Sequence, residues 1–321
     1  MLQVGLYGAN GHQIRGLLLS NPLARLVAVA AMDVSAWPAE YRNIPDLKCY
    51  RTLDELLADA RDQLVSLCSA RRRDQAQDAI RALRAGKHVY AEKPCAMTEA
   101  ELDAIVAASR ETGCRFHDQA GSAFCQPYWA ARQLVRKGVL GEIVQVLAQK
   151  SYPYHDSRPQ DEDVDGGLIA QCIIHAVRFV EHVAGVRIRD VDAVQTCLGN
   201  PVAQGGLHMA ASLMMTLENG GVAAIVGNYL NPKGFKLWGN EHLRIFGTRG
   251  FLETTDGGTR SRVVMGDQDL GPLDTSEKAP DYFGMIAQSI LSGTPPPLTT
   301  EEELHPTRIV IRARDKAMKR A

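Results

Sequence analysis

The stretch Ala85-Gly86-Lys87-His88-Val89-Tyr90-Ala91-Glu92-Lys93-Pro94 decides the fold of this chain. Its first three residues are typical of a helix end, and the short, apolar, β-rich run from His88 to Ala91 predicts a strand. Pro94 cannot continue a strand ladder, so Lys93 stands where the strand stops. The carboxyl ends of strands in an open α/β sheet are where ligands bind, which makes Lys93 a candidate site residue. The Lys93–Pro94 bond is open to the cis or the trans form.

A glycine-containing stretch follows the strand predicted at Leu2 to Tyr7. It reads Gly8-Ala9-Asn10-Gly11-His12-Gln13 and precedes a predicted helix with Ile14 and Leu17 to Leu19. This order is typical of a dinucleotide site, because glycine lets a diphosphate approach the backbone. Asn10 and Gln13 replace two glycines of G-x-G-x-x-G, and asparagine is the best substitute for glycine in the left-handed conformation. We predict cofactor contacts at Gly8, Ala9, Asn10, Gly11 and His12.

An acidic residue ends the next predicted strand. Leu26 to Met32 leads to Asp33, which follows Gly8 by 25 residues, near the roughly 20 typical of a ribose-binding acid. A carboxylate there accepts hydrogen bonds from the ribose hydroxyls and repels a 2′-phosphate, so NAD is favoured over NADP. Arg42 or the run Arg71 to Arg73 would weaken this preference if folded toward the ribose. A solvated loop carboxylate is the alternative.

Strands and helices continue to alternate up to about residue 120. Further strands are predicted at Leu64–Cys68 and Cys114–Phe116, and helices at Thr52–Leu57, Asp74–Arg84 and Thr98–Ser109. The alternation predicts six strands in a parallel, doubly wound sheet, five of which have the ranges given above, and hence a Rossmann domain over residues 1–120. Ser69 and Arg71 are further cofactor candidates, although Arg71 to Arg73 also fits a solvated helix start.

From about Ser122 the pattern changes to a helix and then a run of strands, which predicts an α+β domain over residues 121–321. Two helices close it, at Tyr282–Leu291 and about Thr300–Met318, and the last helix is free to pack back on the first domain. The strand candidates are Glu142–Lys150, Val191–Cys197, His208–Leu217, Gly221–Tyr229, His242–Phe246, Phe251–Thr254 and Arg260–Met265.

Composition excludes several classes. The 321 residues carry a formal net charge of −1, which argues against nucleic-acid or membrane-surface partners, and no apolar run reaches a membrane-spanning length. The seven cysteines include no Cys-x-x-Cys pair, which favours reduced thiols in the cytoplasm and predicts no metal site.

With these segments in order, the chain resembles the Gfo/Idh/MocA family of glucose–fructose oxidoreductase and inositol dehydrogenase. The resemblance implies a Rossmann domain followed by a large open, mainly antiparallel sheet that often forms a subunit interface, hence a homodimer or homotetramer. It also implies NAD(P)-dependent oxidation of a sugar, polyol or related alcohol, or the reverse reduction. The residues that carry it are Val4–Ala9, Val27–Ala30 with Asp33, Ala85–Pro94, Gly138–Ile143 and Gly166–His175.

Gly166 to His175 contains the remaining catalytic candidates. A helix from Leu168 would place Gln171 and His175 on one face. The resemblance implies Asp and His at these positions, beside the lysine of Glu-Lys-Pro; His175 is then the general base, and Lys93 stabilises charge on the same oxygen. Gln171 departs from the pattern, because it can orient the imidazole but supplies no negative charge. A structural His175 and a surface Lys93 are the alternatives.

Substrate contacts are expected from the second domain, where mixed aromatic and polar groups suit a polyhydroxylated small molecule or a partner surface. The function favoured is an NAD-dependent dehydrogenase. The alternative, favoured by Gln171 and the altered turn, is a catalytically weak sensor that binds dinucleotide. The cofactor set is completed by Glu92 and Lys93, and the substrate candidates are Tyr152, Tyr154, His155, Arg158 and Trp238.

Overall fold

The computed structural model describes residues 1–19 and 21–320 and divides them into two compact units. The first comprises the described part of Met1–Gln119 together with Asp163–Asp165 and Asp281–Leu304. The second comprises Ala120–Glu162, Gly166–Pro280 and the described residues from His305 onward. The segment Asp281–Leu304 therefore groups with the N-terminal part of the chain.

The first unit is built on a six-stranded parallel sheet in the order β3-β2-β1-β4-β5-β6, as predicted. The order reverses between β1 and β4, and at this switch point the carboxyl ends of the strands leave room for a ligand. The strands are β1 (Leu2–Tyr7), β2 (Ala24–Ala30), β3 (Lys48–Tyr50), β4 (Leu64–Leu67), β5 (His88–Ala91) and β6 (Phe116–Asp118).

The second unit contains an eight-stranded sheet in the order β14-β13-β12-β11-β7-β10-β9-β8. All neighbouring pairs are antiparallel except β7 and β10, which confirms the mainly antiparallel sheet. Its strands are β7 (Ile143–Ser151), β8 (Ile188–Thr196), β9 (Ala210–Leu217), β10 (Val222–Asn228), β11 (His242–Gly247), β12 (Gly250–Thr255), β13 (Arg260–Met265) and β14 (Gln268–Gly271).

The predicted helix starts at Thr52 and Thr98 are confirmed as capping boxes, in which threonine and glutamate exchange hydrogen bonds with each other's backbone. Tyr90 of β5 packs on Phe283 with ring centroids 5.4 Å apart. The helices are α1 (Arg15–Leu18), α2 (Ala39–Arg42), α3 (Leu53–Leu57), α4 (Arg72–Arg84), α5 (Glu99–Thr112), α6 (Tyr128–Arg136), α7 (Ile174–Arg178), α8 (Tyr282–Ser292) and α9 (Thr300–Met318).

The segment after Gly167 is helical, but not as a plain α-helix. Leu168–Ile173 and Phe179–Val183 are π-helical and flank α7. The segment packs on one face of the second sheet, because a Cβ at Gly227 of β10 would lie only 2.4 Å from Ile173 Cγ1. The α-helical spacing predicted for Gln171 and His175 is therefore wrong in detail, since Gln171 lies in the π-helical part.

No helix within residues 1–19 and 21–320 combines the length and the apolar character needed to cross a membrane.

Candidate active site

The glycine turn after β1 depends on Gly8 and Gly11, whose φ values are +72° and +109°. A Cβ at Gly8 would lie 2.2 Å from the carbonyl oxygen of Cys68, and one at Gly11 would lie 2.7 Å from Glu92 Cγ. Asn10 is not in the left-handed conformation, so the expectation that it replaces a glycine there is wrong. Its side-chain amide instead donates hydrogen bonds to the carbonyls of Ala70 (3.0 Å) and Val164 (2.6 Å). Two glycines are enough to form this turn, because the hydrogen bonds of the Asn10 side chain hold the loop in place.

Gln13 explains why the third glycine of the usual pattern is dispensable. Its amide nitrogen donates to the carbonyls of Tyr7 (3.1 Å), Gly8 (3.0 Å) and Ser66 (3.2 Å). Ser66 returns a hydroxyl hydrogen bond to the amide oxygen of Gln13 at 2.9 Å. The side chain thus ties the turn to β1 and β4. The predicted helix that follows is a single turn, α1, so the turn backbone rather than a long helix dipole must receive an anionic ligand.

Asp33 lies exposed beyond the end of β2. The backbone N–H of Ser35 donates to its carboxylate at 2.8 Å. Hydrogen bonds from the Ser35 side chain and backbone lower the pKa of Asp33 below its ordinary value. The carboxylate is therefore charged at neutral pH and presents acceptor oxygens to solvent at the ligand edge of the sheet.

Arg72 is the organising residue that sequence reasoning missed. Its side chain is fully buried and donates to the carbonyls of Ser69 (3.2 Å) and Lys93 (3.3 Å), and also to that of Asn10. One guanidinium thus joins the end of β4, the Glu-Lys-Pro segment and the glycine turn. The predicted cofactor residue Ser69 donates its hydroxyl to Asp78 at 2.8 Å, and Arg71 is the half-buried N-cap of α4.

Lys93 and Glu92 are both buried directly after β5, and Lys93 Nζ lies 3.7 Å from Glu92 Oε1. His12, exposed on the turn, places Nδ1 2.9 Å from the same oxygen. Burial alone would raise the pKa of Glu92, but the charge of Lys93 and the hydrogen bond from His12 hold that pKa below its ordinary value. The Lys93–Pro94 bond is cis, which answers the question the sequence left open.

In the second unit, His175 lies on α7 and its Nδ1 is 2.8 Å from Ser122 Oγ. Ser122 belongs to a short 3-10 helix, Gly121–Phe124, and was not a sequence candidate. The hydroxyl of Tyr229 donates to Gln171 Oε1 at 3.4 Å. Sequence reasoning expected Gln171 to orient the imidazole, whereas the described hydrogen bond at Nδ1 is made with Ser122 Oγ.

Four of the five substrate candidates make ring contacts in the second unit, in two neighbouring groups. The Arg158 guanidinium lies 3.8 Å from the ring centroid of Tyr229. Trp238, 57% exposed, has its ring 5.8 Å from Tyr152 and 5.9 Å from His155. Tyr152 and Tyr229 are close through the backbone, because Tyr152 N–H donates to the Asn228 carbonyl at 3.0 Å. The fifth candidate, Tyr154, is half-buried.

The two halves of the chain match two descriptions of one family. Residues 2–119 match "Oxidoreductase family, NAD-binding Rossmann fold", and residues 128–253 match the GFO/IDH/MocA C-terminal domain. The chain belongs to the Gfo/Idh/MocA oxidoreductase family. Its first unit is accordingly an NAD-binding Rossmann domain, which gives the protein a nicotinamide cofactor.

Several Gfo/Idh/MocA relatives are similar along much of the chain. The chain is 27% identical over 242 residues to trans-1,2-dihydrobenzene-1,2-diol dehydrogenase of Mus musculus, covering 70% of this chain and 71% of that one. It spans about half the length of the proteins of the same name from Xenopus laevis and Bos taurus, 48% in each case.

Solved structures share the fold of the whole chain. The aldose-aldose oxidoreductase of Caulobacter crescentus, complexed with glycerol, has a TM-score of 0.83 at 21% identity and covers 100% of this chain and 98% of its own. Levoglucosan dehydrogenase in complex with NADH and L-sorbose has a TM-score of 0.79 at 16% identity and covers 100% of this chain and 97% of its own. At these identities the likeness shows the fold alone.

The residues present fit a dinucleotide. Side-chain-free positions at Gly8 and Gly11 leave the turn backbone open to a diphosphate, and any Cβ there would collide with Cys68 or Glu92. Asp33 supplies a charged acceptor at the position suited to a ribose. Lys93 belongs to this first unit, and His175 belongs to the second.

Proposed function

We propose that this protein is an NAD-dependent dehydrogenase that acts on a sugar, a polyol or a related alcohol, or reduces the corresponding carbonyl. The observation that carries the proposal is the buried Lys93 at the carboxyl end of β5, held beside the glycine turn by Glu92 and Arg72. Burying a lysine ammonium costs free energy, because the charge loses its hydration. A lysine this deeply buried is therefore a candidate for a functional role. The name of one relative supports the substrate class, since it is a diol dehydrogenase.

The reaction divides between two side chains. When bound, the nicotinamide accepts or supplies the hydride. Lys93 donates a hydrogen bond to the reacting oxygen and stabilises its negative charge. His175 takes the hydroxyl proton in the oxidation and returns it in the reduction, because an imidazole exchanges protons near neutral pH. Gln171, the third proposed catalytic residue, contributes a neutral amide beside the substrate.

We propose that the protein prefers NAD to NADP and that Asp33 causes this preference. Its charged carboxylate would accept hydrogen bonds from both ribose hydroxyls and would repel a 2′-phosphate. Gly8, Ala9, Gly11 and His12 would line the diphosphate.

The substrate would be a polyhydroxylated small molecule held by the second unit. The exposed ring of Trp238 offers a flat face for the C–H side of a sugar ring, and His155 and Tyr152 flank it. Arg158 and Tyr154 complete the proposed binding residues. We also propose a homodimer or homotetramer, formed through the open face of the second sheet, which is the face that carries the exposed side chains of Met214, Val222 and Val226.

The test is absorbance at 340 nm with NAD and a panel of sugars, inositols and sugar acids, after NAD binding has been measured by calorimetry. Reduction with one panel member, abolished in Lys93→Met while NAD affinity stays within about twofold, is the expected result. Tight NAD binding without reduction across the panel would favour the sensor alternative, to which the uncharged Gln171 also points. Full activity of Lys93→Met would remove this lysine from the mechanism.

A further inference from the structure

His175 has a hydrogen-bond partner that the sequence pattern does not predict. Ser122 Oγ lies 2.8 Å from His175 Nδ1, although the two residues are 53 positions apart. Both side chains are half-buried and both belong to the second unit. The contact therefore joins the 3-10 helix Gly121–Phe124 to α7.

The chemistry of this contact depends on which atom carries the proton. An imidazole that acts as a base through Nε2 must carry its own proton on Nδ1, and that N–H then donates to the partner of Nδ1. Ser122 Oγ accepts this bond both before and after Nε2 takes up a proton. A carboxylate in the same place would also add negative charge and raise the proton affinity of the ring, whereas a neutral hydroxyl can accept from Nδ1–H and hold the ring in place without doing so.

Gln171 accepts a hydrogen bond from Tyr229 and lies in the π-helical stretch before α7. We propose that Ser122 is the positioning residue of His175, which holds the imidazole with Nε2 directed to the substrate in place of a carboxylate partner. This inference rests on the proposed function, in which His175 is the base. It assigns to Ser122, in the 3-10 helix, the orienting role that sequence reasoning gave to Gln171.

The first experiment compares the kinetics of Ser122→Ala, Ser122→Thr and Ser122→Asp with the wild type. We expect Ser122→Ala to lower kcat by about 10- to 100-fold with KM within about twofold, as for other residues that orient an imidazole. Ser122→Thr keeps the hydroxyl and should recover most of the loss. Ser122→Asp should move the acidic limb of the kcat/KM profile for oxidation to higher pH, by about one unit, because a nearby carboxylate favours imidazolium.

Ser261→Ala is the matched control. Ser261 lies on β13 of the same unit, where its hydroxyl oxygen accepts the N–H of Leu273 at 3.0 Å. The Ser261→Ala variant loses one serine hydroxyl and leaves α7 unchanged, so its kcat and pH profile should equal those of the wild type. Thermal unfolding of each variant separates loss of orientation from loss of fold.

The second experiment reads the tautomer directly, by long-range ¹H–¹⁵N spectra of the histidine rings in the NAD-bound protein. The wild type should show His175 protonated on Nδ1, and Ser122→Ala should show a mixture or the Nε2–H form. An unchanged tautomer together with an unchanged pH profile would overturn the inference. Activity that survives in His175→Ala would remove His175 as the base, and the inference with it, without overturning the dehydrogenase assignment. That assignment fails if the wild type reduces no NAD, and the tautomer spectra, which need no turnover, would still decide whether Ser122 orients the ring.

Discussion

Arg72 and Arg73 are adjacent residues with opposite surroundings. The Arg72 guanidinium is buried and donates to three backbone carbonyls from three segments, whereas the Arg73 side chain is 56% exposed and pairs with Asp163 at 3.0 Å. A buried donor that satisfies several acceptors is costly to remove, because the acceptors stay buried without it. An exposed ion pair contributes little, because water screens it.

We therefore predict that Arg72→Met lowers the free energy of unfolding by about 3 kcal/mol and weakens NAD binding, since the turn and the Glu-Lys-Pro segment lose their common tether. Urea unfolding and calorimetry measure the two effects. Arg72→Lys should recover little, because an ammonium cannot reproduce the forked geometry. Arg73→Met is the control, with a change of about 0.5 kcal/mol or less. Equal effects at both positions would contradict this account.

Asp33 carries the prediction on cofactor choice. Replacing Asp33 by Ser and Val34 by Arg removes the charge that repels a 2′-phosphate and adds one that attracts it. The ratio of NADPH to NADH dissociation constants should fall by at least about tenfold, or about 1.4 kcal/mol, in fluorescence titrations. The single change Val34→Arg separates the added attraction from the lost repulsion. A ratio unaffected by the double change would show that Asp33 does not face the ribose.

Sequence reasoning can select candidate site residues when a local pattern singles them out. Gly8 and Asp33 follow strands and Lys93 precedes a proline, so the local pattern sufficed to propose them. Ser122, Arg72 and Tyr229 were missed because each acts on a segment distant in the chain. Arg72 also stands within three consecutive arginines, and only the start of α4 decides which of them turns inward.

The helices and strands could be predicted where the signals for them lie within the element itself. The long strands and the capped helices carry their own periodicity and end signals. The edge strands β3 and β14 have three and four residues and exist through pairing with a neighbour, so no pattern predicted them. The π-helical stretches around α7 depend on packing against β10, which a 3.6-residue period cannot express.

His88 at the start of β5 gives a prediction about pH at the scale of the strand pair. Its Nδ1 accepts the N–H of Arg115 at 2.8 Å, just before β6. Burial first, and then the charge of Arg115, lowers the pKa of His88 below its ordinary value of 6.5. The unfolded chain therefore binds a proton at a higher pH than the folded protein does. The neutral His88 therefore contributes its full share of folding stability above its pKa in the unfolded chain. This share is lost as the pH falls through its pKa in the folded protein.

We predict that the wild type loses stability between pH 7 and pH 5 and that His88→Asn loses less. Asparagine places its oxygen where Nδ1 stood, so the bond to Arg115 survives without a titrating ring. Urea unfolding at several pH values gives the two slopes. Their difference should vanish above pH 7.5, where His88 is neutral in both states. Parallel slopes throughout would show that His88 does not couple to folding.

At the scale of the whole molecule, the open face of the second sheet stands out. In the register of the sheet, Met214 of β9, Ala224 of β10 and Leu147 of β7 form one row. Met214 is 73% exposed, and Val222 and Val226 flank Ala224 on the same face with 46% and 43% exposed. A contiguous apolar surface of this kind marks an interaction site in a protein.

The charged side chains along this row are paired within the subunit. Asp192 of β8 pairs with Arg320 at 2.6 Å, and Arg262 of β13 pairs with Asp269 at 2.7 Å. Arg244 of β11 pairs with Glu253 of β12 in the same way. A twofold axis through the centre of the face would therefore set the apolar centre of one copy against that of a second copy, with no unpaired charge among these residues to oppose the contact.

The open face therefore predicts a specific change in assembly. Met214→Glu would bury a carboxylate in the centre of the proposed interface without a partner, a desolvation cost that the exposed position does not impose on the monomer. Light scattering after size-exclusion chromatography should give a dimer or tetramer for the wild type and mainly monomer for Met214→Glu. Leu198→Glu is the matched control, because Leu198 is 83% exposed but lies past the end of β8, outside the row. A wild type that is monomeric at micromolar concentration, or an oligomer that Leu198→Glu breaks as readily, would place the interface elsewhere or remove it.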